Sequence, residues 1–221
     1  MTSTLAAPVP ATTDDDQEPP VVFALAVNAA VAAAKAGAAV LTGSPAMLAE
    51  AAHSAVDCST QLCLLAGERH GARRPAARYG WAMGAALVMF GSGGVAGIIE
   101  GVRSLAEHAH TVAPVVSLVV LAAASVGEGL SCTRALRSLN RSRHGLSWAR
   151  HLRTTTDTAS LTVLAEDSVD VLGNALAAAG IAAAWLTGST LFDAAASVLV
   201  GLLLVVVSTG LLRRNARLLF A

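Results

Sequence analysis

The stretch AAASVLVGLLLVVVSTG, Ala194 to Gly210, contains no charged residue and no continuous polar helix face. A membrane-spanning helix needs about 20 mostly apolar residues. Six blocks of that kind can be drawn, at 21–42, 46–66, 80–101, 112–133, 159–186 and 191–212. A soluble helical bundle is the alternative, but blocks such as Ser117 to Val126 offer water no polar face. The sequence therefore predicts an all-α membrane protein with six transmembrane helices.

The composition agrees with this class and the charge distribution predicts the orientation. Charged residues make up 14% of the 221-residue chain, against roughly 25% in a soluble domain. The formal net charge is zero, so no nucleic-acid partner is expected. All but two of the 15 Lys and Arg residues follow predicted spans two, four and six: Arg69, Arg73, Arg74, Arg78, Arg134, Arg137, Arg141, Arg143, Arg150, Arg153, Arg213, Arg214 and Arg217. By the positive-inside rule these loops and both termini are cytoplasmic, and we predict a multi-pass protein of a bacterial plasma membrane.

Two regions are predicted along the chain. Residues 1–20, MTSTLAAPVPATTDDDQEPP, are rich in Pro, Thr and Asp and are expected to be a disordered tail. They lack the basic start and apolar centre of a secretory signal peptide. Residues 21–217 form the predicted six-helix transmembrane domain.

Ionisable residues inside the predicted spans are the strongest functional signal. Each costs about 2.5–3.5 kcal/mol at mid-membrane on insertion scales, so stability does not explain them. Such residues line a solute path, a proton relay or a buried ion pair. The set comprises Lys35, Glu50, His53, Asp57, Glu100, Glu128, Glu166, Asp167 and Asp170.

Helical spacing groups these residues into two stripes. At about 100° per residue, Asp57, Glu50 and Gln61 fall within about 80° of His53 in span two. In span five, Asp167 and Asn174 lie on one side of Val163, while Asp170 and Glu166 lie on the other, all within about 60° of it. Because lipid would reject both polar stripes, we expect them to face each other.

The residue types in these stripes suit a divalent cation. His53 and Asp57 are one helical turn apart, and imidazole with carboxylate is a ligand set for Zn²⁺ and, with more oxygens, for Mn²⁺ or Fe²⁺. Two carboxylates neutralise the ion, and protons compete for the same groups. The open alternative is that His53 and Asp57 only join two helices. No phosphate loop, serine elbow or H-E-x-x-H motif is present, so we do not expect an enzyme.

Three stretches resemble the cation diffusion facilitator family of metal transporters: LTGSPAMLAEAAHSAVD (Leu41 to Asp57), FGSGGVAGIIEGV (Phe90 to Val102) and DAAASVLVGLLL (Asp193 to Leu204). The resemblance implies a homodimeric, six-helix, proton-coupled exporter of divalent cations. Zinc, with manganese or iron as further candidates, would then be the transported ion, and no cofactor is expected to stay bound. It also implies that His53 and Asp57 are ligands and that Asp167 is the helix-five aspartate, with Glu166 and Asp170 as further candidate ligands.

The chain departs from the family pattern in three ways. Where the commonest pattern has a histidine four residues before the helix-five aspartate, this chain has Val163, with Glu166 and Asp170 nearby as possible substitutes. The run VLAED, residues 163–167, resembles a subgroup of the family with Leu-Glu-Asp at this place. The chain also stops soon after predicted span six, so the family's C-terminal cytoplasmic domain is expected to be missing. These departures motivate the alternative hypothesis that the chain is a non-transporting partner subunit.

Overall fold

The computed structural model describes residues 19–42, 45–107 and 113–220. Nearly all of the predicted tail lies outside these residues. The described residues form eight α-helices and one π-helical segment. The α-helices are α1 (Pro20–Thr42), α2 (Pro45–Gly71), α3 (Pro75–Val88), α4 (Ala96–Glu107), α5 (Pro114–Arg141), α6 (Trp148–Thr154), α7 (Thr158–Thr187) and α8 (Leu191–Phe220). The π segment (Met89–Val95) joins α3 to α4.

The membrane class predicted from the sequence is confirmed. Within the described ranges, five helical stretches are long and apolar enough to cross a membrane: Pro20–Ala38, Ala76–Ala106, Pro114–Arg141, Thr158–Thr187 and Leu191–Phe220. Helix α2 has 27 residues, but its His, Asp, Ser, Thr and Gln side chains make it more polar than these five. The count of six spans and the cytoplasmic location of both termini remain predictions.

Local sequence signals explain where several helices begin and end. Proline occupies the first turn of α3 and of α5, where its missing N–H would have no helical partner. Asp157 caps α7, because its Oδ1 accepts a hydrogen bond from the Ser160 N–H at 2.9 Å. Gly188 ends α7 in the left-handed conformation, with φ of 73°.

The packing of the helices sets the position of the polar stripes. Helix α2 packs against α1 and α3, while α7 packs against α5 and α8. Helix α8 also packs against α4 and the π segment, and α2 contacts α7. The predicted second and fifth spans therefore meet inside the bundle.

The arginine-bearing helix ends meet at one end of the bundle, which we call the arginine end. The Arg134 guanidinium lies 4.4 Å from the centre of the Phe23 ring, and Arg214 donates a hydrogen bond to the Thr155 carbonyl. A cavity of about 300 Å³ opens there between five helix ends and is lined by Pro20, Glu68, Arg78, Ser138, Thr156, Asp157, Ala159 and Ser160. This common location is what the positive-inside rule requires of these arginines.

Candidate metal centre

Helix α2 contributes an imidazole and a carboxylate to the centre of the bundle. His53 and Asp57 are one turn apart, and His53 Nε2 lies 4.0 Å from Asp57 Oδ2. The Asp57 side chain is 11% exposed, whereas the His53 side chain is 26% exposed. The distance is longer than a hydrogen bond, and a metal ion shared by these two side chains would need at least a third ligand group.

Helix α7 supplies that third group. One ligand atom each from His53, Asp57 and Asp170 lie within 4.8 Å of one another. Zinc–ligand bonds are about 2.0–2.2 Å long, so two atoms on one ion lie at most about 4.4 Å apart. Asp170 Oδ2 is buried and has no hydrogen-bond partner. Small side-chain movements would therefore allow the three residues to hold one cation.

Glu166 lies one turn before Asp170 in the same interface. The Gln61 amide donates a hydrogen bond from Nε2 to Glu166 Oε2 at 3.0 Å. Glu166 is 1% exposed, and its Oε1 is buried without a partner. Glu166 does not belong to the group formed by His53, Asp57 and Asp170. It contacts α2 through its hydrogen bond with Gln61 and lies close to that group. The sequence had placed Gln61 on the polar face of α2 without assigning it a role.

Asp167 lies at a different edge of α7. It is 0% exposed and both of its carboxylate oxygens lack hydrogen-bond partners. Its electrostatic neighbours are Ser131 and Glu128 of α5 together with Asp57 of α2, and Asn174 donates a hydrogen bond to Glu128 Oε2 at 2.6 Å. The structure thus brings together three of the five predicted ligands. Asp167 is not one of those three.

This geometry bears on the apparent departure at Val163. Val163 is fully buried in an apolar cluster with Leu64 and does not join the polar stripe. Counted from Asp170, the position four residues earlier is Glu166, which is a potential oxygen ligand. The side chain of Glu50, the remaining polar residue of the α2 stripe, lies outside the described part of the structure.

Comparison with known families places the membrane helices of this chain in one family. Residues 21–220 match the model of the cation efflux transmembrane domain. The chain belongs to the cation efflux family. The family assignment confirms the resemblance noted in the sequence.

Curated relatives within the cation efflux family are longer proteins. The chain is 29% identical over 213 residues to metal tolerance protein C4 of Arabidopsis thaliana, covering 91% of this chain and 47% of the plant protein. It is 31% identical over 202 residues to the mitochondrial proton-coupled zinc antiporter SLC30A9 of Xenopus laevis, covering 81% of this chain and 34% of that protein. The human SLC30A9 antiporter is 28% identical over 193 residues. The chain thus spans less than half the length of these relatives.

Proposed function

We propose that this chain exports divalent cations, zinc foremost, from its arginine end in exchange for protons. The cation would bind between α2 and α7, with His53, Asp57 and Asp170 as ligands and Glu166 within reach as a fourth. The convergence of three ligand atoms from two helices within 4.8 Å carries this proposal. The working unit is expected to be a homodimer in the lipid bilayer.

The chemistry of the donors favours zinc. One imidazole nitrogen and two carboxylates give the mixed nitrogen and oxygen set that Zn²⁺ accepts in tetrahedral sites. Asp57 and Asp170 neutralise both charges of the ion, which offsets much of the cost of holding it away from water. The amphibian and mammalian relatives carry zinc antiporter in their names, and this supports the same cargo here.

Proton exchange follows from the same ligands. A carboxylate or imidazole must lose its proton before it binds a metal ion. Protons and cations therefore compete for Asp57, Asp170 and His53. These three groups are sufficient to couple the two movements. The cation binds on the proton-poor side, and protons displace it on the proton-rich side.

An apolar barrier separates the proposed site from the arginine end. Along α2, Leu64 follows Gln61 and precedes Glu68, which lines the cavity. Leu64 and Val163 are buried in one apolar cluster. We infer that a cation in the cavity reaches Glu166 only when this cluster opens. Transport therefore requires α2 and α7 to separate at the arginine end, which is the movement expected in alternating access.

The test is zinc movement in proteoliposomes that enclose a zinc-sensitive dye and carry an imposed pH gradient. We expect gradient-driven zinc uptake by the natural chain and no uptake above that of empty liposomes in Asp57→Asn. This variant keeps the size of the side chain and removes its charge. A Leu62→Ala variant is the matched control, because Leu62 is 54% exposed on the same helix and should leave transport intact.

Two outcomes would contradict the proposal. Transport by Asp57→Asn at the rate of the Leu62→Ala control would remove Asp57 from the ion path. A natural chain that binds zinc in the membrane but moves none under any gradient would instead favour the non-transporting partner subunit.

A further inference from the structure

The motif FGSGGVAGIIEGV has no role in the proposed ligand set, but its first half forms the π segment. Helix α3 ends at Val88, and residues Met89–Val95 continue it as a π-helical turn before α4 begins. Single π turns inside helices occur frequently at functional sites. This turn is therefore a candidate for a role at the proposed cation site.

Helix α8 fixes the π segment by direct backbone packing. A β-carbon added to Gly94 would lie 2.6 Å from Val205 Cγ2 and 3.1 Å from the Val205 nitrogen. One added to Gly201 would lie 2.7 Å from the Ile98 nitrogen and 2.9 Å from the Gly94 carbonyl oxygen. Only glycine permits backbones to approach this closely. The close packing of α8 against the π segment and the start of α4 therefore fixes the position of the π segment.

This packing brings Gly93 against the proposed ligand His53. A β-carbon added to Gly93 would lie 3.4 Å from His53 Cε1 and 3.2 Å from Leu204 Cδ1. Cε1 is bonded to Nε2, the ring nitrogen that lies 4.0 Å from Asp57. Leu204 is 2% exposed, so it has little room to withdraw. The proposed site thus has α2 and α7 on two sides, and the π segment with α8 forms its third wall. This third wall lies beside the edge of the imidazole that carries Nε2.

We propose that Gly93 is a positioning residue for cation selectivity, because its missing side chain lets this third wall hold the His53 imidazole toward Asp57 and Asp170. The inference rests on the proposed function. A fixed imidazole favours Zn²⁺, whereas carboxylate and carbonyl ligands suit Mn²⁺. A larger side chain at Gly93 would push the ring away and weaken zinc binding more than manganese binding.

The experiment compares Gly93→Ala and Gly93→Val with Gly91→Ala and Gly91→Val. Gly91 lies in the same π segment, but a β-carbon there would meet nothing within 4 Å. Zinc and manganese affinities are measured by titration calorimetry in nanodiscs. We expect Gly93→Val to lower zinc affinity about tenfold or more, the range seen when groups that orient a ligand are lost. Manganese affinity should change much less, and both Gly91 variants should match the natural chain.

Two further variants separate positioning from general damage. In a His53→Ala background, Gly93→Ala should change zinc affinity no further, because its effect acts through the ring. Adding Leu204→Val to Gly93→Ala removes the δ-carbons nearest the new methyl group and should restore part of the zinc preference. The double variant also keeps the test informative if Gly93→Val does not fold.

The inference is overturned if the Gly93 and Gly91 variants have equal ratios of zinc to manganese affinity. It is also overturned if Gly93→Ala weakens zinc binding equally with and without His53. A natural chain that binds neither ion would instead defeat the proposed function, which is a distinguishable result.

Discussion

Helix α7 presents buried acidic groups at two edges, and the edges differ in what faces them. At the α2 edge, Asp170 meets an imidazole and a second carboxylate, with ligand atoms within 4.8 Å of one another. At the α5 edge, Asp167 is near Glu128 as well as Asp57, and Glu128 already accepts a 2.6 Å hydrogen bond from Asn174. Among the described residues, only the α2 edge gathers three metal-ligating side chains.

The comparison shows that a cation site is identified by ligand atoms that lie close together. The number of buried carboxylates alone does not identify one. Asp167 and Asp170 both carry carboxylate oxygens that are buried without a partner, and an unpaired buried charge is costly at either edge. Only at the α2 edge can a single ion satisfy several such oxygens together with a nitrogen. The α5 edge instead resembles a polar contact that joins two helices.

Asparagine substitutions at the two edges should give the largest contrast. Asp170→Asn removes a charged ligand, so we expect zinc affinity to fall by more than about 100-fold, beyond the usual effect of losing a group that only orients a ligand. Asp167→Asn, three residues away, should lower it by less than about tenfold, the lower end of the range for groups that only orient a ligand. Calorimetric zinc titration of both variants in nanodiscs provides the measurement. Equal losses would place Asp167 in the site.

Replacing His53 by Asp should change selectivity rather than abolish binding. The variant exchanges the imidazole for a third carboxylate, which suits Mn²⁺ better than Zn²⁺. We expect the ratio of zinc to manganese affinity to fall about tenfold or more. Competition between the two ions for one binding site measures this ratio. An unchanged ratio would show that the imidazole does not contact the ion.

Gln61→Leu should have a smaller effect at the α2 edge. It removes the donor that holds Glu166 at 3.0 Å while keeping a side chain of similar volume. Zinc affinity should fall by about tenfold, the lower end of the range for loss of an orienting hydrogen bond. Leu62→Ala on the adjacent exposed position serves as the control in the same titration. No change in Gln61→Leu would mean that Glu166 does not take part in binding.

Asn174→Ala should have the least effect on zinc affinity, which we expect to stay within about twofold. It should instead destabilise the fold, because the hydrogen bond from the Asn174 amide to Glu128 is lost, and the loss of a buried hydrogen bond to a charged group costs about 1–3 kcal/mol. Unfolding in mixed detergent micelles measures the free energy, with zinc titration in parallel. A large loss of zinc affinity at unchanged stability would assign the α5 edge to the ion path.

Hydropathy and spacing were sufficient to predict the membrane class, the ends of α1 and α7 and the pairing of α2 with α7. The one-turn spacing of His53 and Asp57 placed both on one face without any tertiary information. The π segment was not predicted, because a glycine-rich run permits a π turn but does not require one. Its effect appears only when Gly94 and Gly201 pack together.

Spacing could not assign the acidic residues of α7 to separate neighbours. Glu166, Asp167 and Asp170 span about 100° of the helix surface, which is wide enough to touch both α2 and α5. Which edge each residue joins depends on how the helices pack, and a single sequence does not encode that in its periodicity. For the same reason, the sequence alone indicates Val163, four residues before Asp167, as the partner of the α7 aspartate. The geometry around Asp170 instead favours Glu166.

An anomalous difference map of the zinc-loaded protein, recorded at the zinc absorption edge, tests the central claim most directly. The account predicts one strong peak inside the bundle, about 2.0–2.2 Å from ligand atoms of His53, Asp57 and Asp170. A zinc peak between Asp167 and Glu128, with none between α2 and α7, would contradict it.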